Sequence, residues 1–180
     1  MTIDGQSQAG VILGPSMQDS HTNSTFGGTV SNGLLIGSSN VTIQDMTIDG
    51  DQDGAVTGDH NFRAGVITNS ALNTLINNLT VQHVTVQHTY RRGIQVFSGS
   101  VGNNKSTGHL LDHNTISDVT LGPGIAVFDA QATITFNDIS GVDAAVESVE
   151  VNTSGGTTVH IEDNTLHALA ADATGIQVVV

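Results

Sequence analysis

The chain has 180 residues, enough for one domain with a sizeable core, and its 17 acidic and four basic side chains give a net charge of −13. Such a charge is repelled by nucleic acid and by anionic membranes, and no apolar run approaches the roughly 20 residues that span a bilayer. With no Cys, no Trp, two Pro and 21 Gly among abundant Val, Ile, Thr and Asn, the composition excludes a disulfide framework and favours strands and tight turns over helices.

Taken in chain order, "MTIDG" at the start already reads as a strand. "GVILG" from Gly10 and "GLLIG" from Gly33 are short apolar strands opened by Gly. "VTIQDMTIDGDQDG" from Val41 alternates apolar and polar residues and then turns acidic. Its Asp49-Gly50-Asp51-Gln52-Asp53-Gly54 fits the first half of a calcium loop, D-x-D-x-D-G, but the closing twelfth position is His60, beside Asp59, rather than a bidentate Glu. No helical pattern flanks it. The favoured reading is a turn after a strand that ends at Ile48, and a calcium site built from Asp49, Asp51, Asp53 and Asp59 is the alternative.

Beyond this point the chain repeats itself. "VTIQDMTIDG" from Val41, "LTVQHVTVQH" from Leu79, "HLLDHNTISD" from His109, "ATITFNDISG" from Ala132 and "VHIEDNTLHA" from Val159 align without gaps. Ile43, Val81, Leu111, Ile134 and Ile161 form one column, spaced 38, 30, 23 and 27 residues apart. Ile48, Val86, Ile116, Ile139 and Leu166 form another, and between them runs Met46, Val84, Asn114, Asn137, Asn164. Each block is followed by a second short strand, usually opened by Gly: "GVITNS", "GIQVFSG", "GIAVFDA", "AAVESVEV" and "GIQVVV". The Gly10 and Gly33 segments look like members of that second set.

Strand repeats without intervening helices predict an all-β fold, a single-stranded parallel β-helix of about six or seven coils, with residues 1–180 as one domain. Stacked coils join the inward aliphatics into ladders. Asn114, Asn137 and Asn164 should satisfy one another at about 2.7–3.2 Å, and Phe97 and Phe128 should stack. An antiparallel sandwich is the runner-up, but it gives no reason for the Asn column. Neither end reads as a cap, so native caps are expected to be missing or replaced by another copy in end-to-end self-association.

"NVTIQDMTIDGDQDG", "NLTVQHVTVQHTYRRGIQVFSG" and "HNTISDVTLGPGIAVFDA" resemble the pectin-lyase-like right-handed β-helix superfamily, over roughly residues 33 to 180. Within it the nearest look is to alginate-epimerase and lyase-like proteins. The resemblance implies action on an acidic polysaccharide, outside the cell or at its surface, with any export signal lying outside this chain. The departure is at the catalytic strand. Where the epimerases carry Asp-Pro-His-Glu, this chain has Gln95, Val96, Phe97 and Ser98. The other positions expected to face outward on that sheet, Thr68, Ala126 and Gln177, include no carboxylate.

The remaining chemistry points elsewhere. Arg63, Arg91, Arg92 and Lys105 are the only basic residues, and "FRAG" and "YRRG" each precede the Gly of a second strand. One coil apart, near 5 Å, their arginines should share an edge. Arg63, Arg91 and Arg92 are the expected uronate contacts, with Tyr90, His88 and His60 as candidate proton carriers for β-elimination or epimerisation. The competing reading is that the arginines neutralise the Asp49–Asp59 cluster. The alternative function is a non-catalytic structural solenoid of a surface, fibre or phage-like protein. His109 and His113, four apart, would suggest zinc on a helix, but a strand removes the meaning of that spacing.

Overall fold

The computed structural model describes residues 1–14, 32–50, 62–69, 74–98, 104–142, 147–153, 157–167 and 174–179. Among them every regular element is a strand and every ladder is parallel. The strands wind into a parallel β-helix of six coils. The first coil holds β1 (Thr2–Asp4), β2 (Ile12–Leu13) and β3 (Leu34–Ile36). The second holds β4 (Val41–Asp49) and β5 (Ala64–Thr68), and the third holds β6 (Leu79–Thr89) and β7 (Arg92–Phe97). The fourth holds β8 (Ser106–Asp112), β9 (Thr115–Val119) and β10 (Ile125–Phe128). The fifth holds β11 (Ala130–Thr135), β12 (Asp138–Ile139) and β13 (Glu147–Asn152), and the sixth β14 (Val159–Glu162), β15 (Thr165–Leu166) and β16 (Thr174–Val179).

Three faces result. The first two are continuous, because β4 and β6 run through the corner between them, and the third is β16-β13-β10-β7-β5-β3. That corner explains the five-residue gap between the two aliphatic columns. In a strand of period two, Ile43 and Ile48 would face opposite sides. Both are fully buried. Asp45, at φ 55°, bends the chain between them, and His83, His113, Phe136 and Asp163 do the same at φ 51–54° in the later coils. Asp and His tolerate this left-handed conformation better than most residues; Phe136 does not.

The Asn column is as expected. Asn114 donates from its backbone N–H and its Nδ2 to Asn137 Oδ1, both at 3.0 Å, and Asn137 donates in the same way to Asn164 Oδ1 at 2.9 and 2.8 Å. Spare Nδ2 protons reach the carbonyls of Val81, Leu111 and Ile134. Val84 N–H donates to Asn114 Oδ1, so the ladder ends in the backbone of the third coil. The aliphatic columns also hold: Ile3, Ile43, Val81, Leu111, Ile134 and Ile161 are in register, as are Leu13, Ile48, Val86, Ile116, Ile139 and Leu166. Each full burial is worth roughly 1.5–3 kcal/mol.

Gly33, Gly65, Gly93 and Gly124 open the third face one above another. The reason is space. A Cβ on Gly65 would lie 2.4 Å from Val86 Cγ1, one on Gly93 2.5 Å from the Gly124 carbonyl oxygen, and one on Gly124 2.6 Å from Ile139 Cγ2. At this corner the chain presses against the second aliphatic column and the next coil at once.

Three expectations need correction. Ile12 and Leu13 pair with Thr47 and Ile48, so "GVILG" belongs to the second face, not to the Gly-opened set. Phe97 and Phe128 are in register but meet edge to face, with centroids 6.1 Å apart at 90°. Thr68 is not in the outward row. It aligns with buried Ile36, and its hydroxyl donates to Phe97 O while accepting from Phe97 N–H. The outward row is Leu35, Ile67, Gln95, Ala126, Glu150, Gln177, and it contains a carboxylate, Glu150.

Candidate functional site

The corner between the second and third faces brings the arginines together by backbone. Arg91 and Arg92 both donate their N–H groups to the Arg63 carbonyl, at 2.9 and 3.0 Å. Their guanidiniums then part. Arg91 is exposed. Arg63 lies beside it, half-buried, and its guanidinium is pushed below the usual arginine range by burial and, second, by the positive charge of Arg91. Arg92 turns the other way. Its Nη1 donates to Arg91 O at 2.9 Å, and its guanidinium carbon lies 5.8 Å from the centre of the Phe128 ring. Its Nη2 is 4.0 Å from Glu150. Arg92 therefore crosses the outward row near Ala126, which is fully buried.

The second half of the corner is a relay of carboxylates and imidazole. Asp49, the last residue of β4, accepts from Gln87 Nε2 at 2.8 Å through Oδ2, and its Oδ1 lies 2.9 Å from His88 Nδ1. His88 Nε2 in turn is 3.7 Å from Asp118. So Asp49 orients the ring and Nε2 points to the next coil. Tyr90 follows two residues on, half-buried, with its N–H on Phe62 O and its carbonyl accepting from Leu121 N–H, both at 2.8 Å. His60, Asp51, Asp53 and Asp59 lie outside the described residues.

Asp49 thus uses both carboxylate oxygens within the protein. Millimolar calcium is expected to leave the melting temperature within about a degree, because a ligand stabilises only in proportion to its binding of the folded state. A rise of several degrees that chelator reverses would restore the calcium loop. His109 and His113 end on opposite sides, the first buried and the second half-exposed against Asp112 and the Phe136 ring. Their spacing carries no shared site. His83 and His113 do share a column with Asp45, with ring centroids 5.4 Å apart, as a surface ladder at the bend.

A further group of residues escaped the sequence reading. Gln95, Phe97, Phe128, Asp129 and Asn152 line a depression of about 350 Å³ on the outside of the third face. Lys105 pairs with Asp129 at its rim, at 2.7 Å. The signal was present in the repeat of Phe97 and Phe128. Asp129 and Asn152 carry no such repeat, and only the stacking of β7, β10 and β13 brings them beside the two rings.

No family, curated protein or solved structure compared with the chain matches it. The parallel β-helix is a property of the chain itself, and its chemistry has to be argued from the residues above.

Proposed function

We propose that the protein is a β-helix module that binds an acidic polysaccharide along its third face, from the Arg63–Arg91 corner to the Phe97–Phe128 depression. The observation that carries this reading is the stacking of Arg63 and Arg91 in successive coils, tied by the Arg91 N–H to the Arg63 carbonyl, in a protein of net charge −13. A uronate carboxylate bound at this corner would offset the positive charge of both arginines while accepting bidentate hydrogen bonds. Arg92 continues the path towards the aromatic edge, where a sugar ring can lie against Phe128 with Gln95 and Asn152 beside it. The resemblance to the pectin-lyase-like superfamily, and through it an extracellular setting, supports the same class of ligand.

Processing is a second layer of the proposal. β-Elimination and epimerisation both begin with removal of the proton next to a uronate carboxylate, which needs a base within hydrogen-bond reach and a cation on the carboxylate. His88, oriented by Asp49, and Tyr90 are the candidate proton carriers, and Arg63 and Arg91 the cations. The alternative, a structural solenoid stacking end to end, is favoured by the exposed Ile176, Val178 and Val179 of the last coil, 43%, 59% and 44% accessible.

Titration calorimetry with polygalacturonate and alginate oligomers separates the two. Affinity should fall as salt rises, since exposed charge pairs are screened. Arg91→Gln should weaken binding by about 1–2 kcal/mol, roughly five- to thirtyfold in Kd. Unsaturated products detected by ultraviolet absorbance would add lyase activity, and inverted uronates seen by NMR an epimerase. Absence of polyuronate binding, together with concentration-dependent assembly in sedimentation, would decide for the scaffold.

A further inference from the structure

Ser98 at the end of β7 and Ser106 and His109 in β8 belong to a buried hydrogen-bond chain whose direction is fully determined. Leu79 N–H meets His109 Nδ1 at 3.3 Å, and His109 Nε2 is 3.0 Å from Ser106 Oγ. Ser106 Oγ is 2.8 Å from Ser98 Oγ, and Ser98 Oγ reaches the carbonyl oxygen of Asp129. Ser106 N–H also donates to Ser98 Oγ, at 2.6 Å. A backbone N–H can only donate and a carbonyl can only accept. Nδ1 must therefore be the bare nitrogen, Nε2 carries the proton, and each hydroxyl donates onward to the next acceptor. His109, Ser106 and Ser98 are at most 2% exposed.

We propose that this chain is an acid-released latch, which protonation of His109 breaks, releasing Ser106 and Leu79 from the ring and Ser98 from Ser106. A proton on Nδ1 would set two donors against each other at Leu79 and leave a cation buried. Among the described residues no ion pair holds His109. In β6 Leu79 donates to the ring and Thr80 is in register with Leu110, and in β11 Ala132 and Thr133 are in register with His109 and Leu110. Of the ionisable groups around it, the Asp129 carboxylate is held by Lys105, His160 of β14 by Glu162, and Asp112 by His113 and Thr135. Burial accordingly lowers the His109 pKa from 6.5 to about 4. The latched form excludes a proton that the opened form takes up. Latch stability is therefore complete above about pH 6.5 and is lost as pH falls from there towards 4. Asp129 joins both features: its carbonyl ends the latch and its side chain lines the aromatic depression. The latch itself stands whether or not that depression binds sugar.

The test is amide hydrogen exchange by NMR on the full chain between pH 8 and pH 5, corrected for intrinsic rates. The opening constant at Leu79 and Ser106 should rise about thirtyfold at pH 5, as follows from pKa values of about 4 closed and 6.5 open. Ile94, whose N–H is bound to Gly124 O in the core, should not follow. His109→Asn, which keeps an acceptor for Leu79 but cannot titrate, should give a flat profile. Should that variant fail to fold, the ring nitrogen shifts of the wild type read the same point, showing the Nε2–H form down to about pH 5. Unchanged protection at Leu79 and Ser106, a loss shared equally with Ile94, or an Nδ1–H tautomer would overturn the latch.

Discussion

Asn137→Ala should lower stability by about 2–4 kcal/mol and the melting temperature by about 5–15 °C. Asn137 stands in the middle of the ladder and is 1% exposed. Its Oδ1 accepts two bonds from Asn114 and its Nδ2 donates to Leu111 O and to Asn164 Oδ1. Alanine leaves the backbone N–H of Asn114 without an acceptor and takes one bond from Leu111 O. The cost of an orphaned buried group exceeds the net worth of an ordinary hydrogen bond, so the effect is larger than the bond count suggests. Asn164→Ala is the control. Asn164 is half-buried at the open end of the ladder, and its loss should cost roughly 1 kcal/mol. Equal effects at the two positions, read by denaturant melts, would mean that the ladder is not a cooperative element of the fold.

Gly93→Ala should be the more damaging change, at about 3 kcal/mol or more. Overpacking a core usually costs about 1–3 kcal/mol, because side chains move aside. Here one of the obstructing atoms is backbone. The added Cβ would lie 2.5 Å from Gly124 O and 2.6 Å from Ile116 Cγ2. That carbonyl already accepts from Ile94 N–H at 2.9 Å, so relief by separating the coils breaks the ladder itself. Gly10→Ala is the contrasting variant. Its nearest obstruction is the Ser7 hydroxyl, which can rotate away on an exposed turn, and a change within about 0.5 kcal/mol is expected. A near-neutral Gly93→Ala would mean that the corner is looser than the contacts at Gly33, Gly65 and Gly124 indicate.

The coil was written in the repeat. Inward aliphatics, ladder asparagines and corner glycines each serve the coil above and the coil below, so each leaves a mark at every repeat. Ile43 to Ile161, Asn114 to Asn164 and Gly33 to Gly124 were legible for that reason. The gathering of Arg63, Arg91 and Arg92 at one corner followed from the same register. Tertiary structure decided what the repeat does not constrain. The left-handed bend at Asp45 and its counterparts divides one apparent strand between two faces, a backbone choice that side-chain alternation does not encode. The register of β13 puts Glu150 in the outward row between Ala126 and Gln177, and the register of β5 takes Thr68 out of it, since a slip of one reverses every side chain of a strand. Long side chains went where charge and space allowed, Arg92 to Phe128 and Glu150, and His88 to Asp49 and Asp118. His109 shows the same limit: four residues from His113 in the chain, it turns inward to a hydrogen-bond chain built from Leu79, Ser98, Ser106 and Asp129, partners that only the stacking of coils brings within reach.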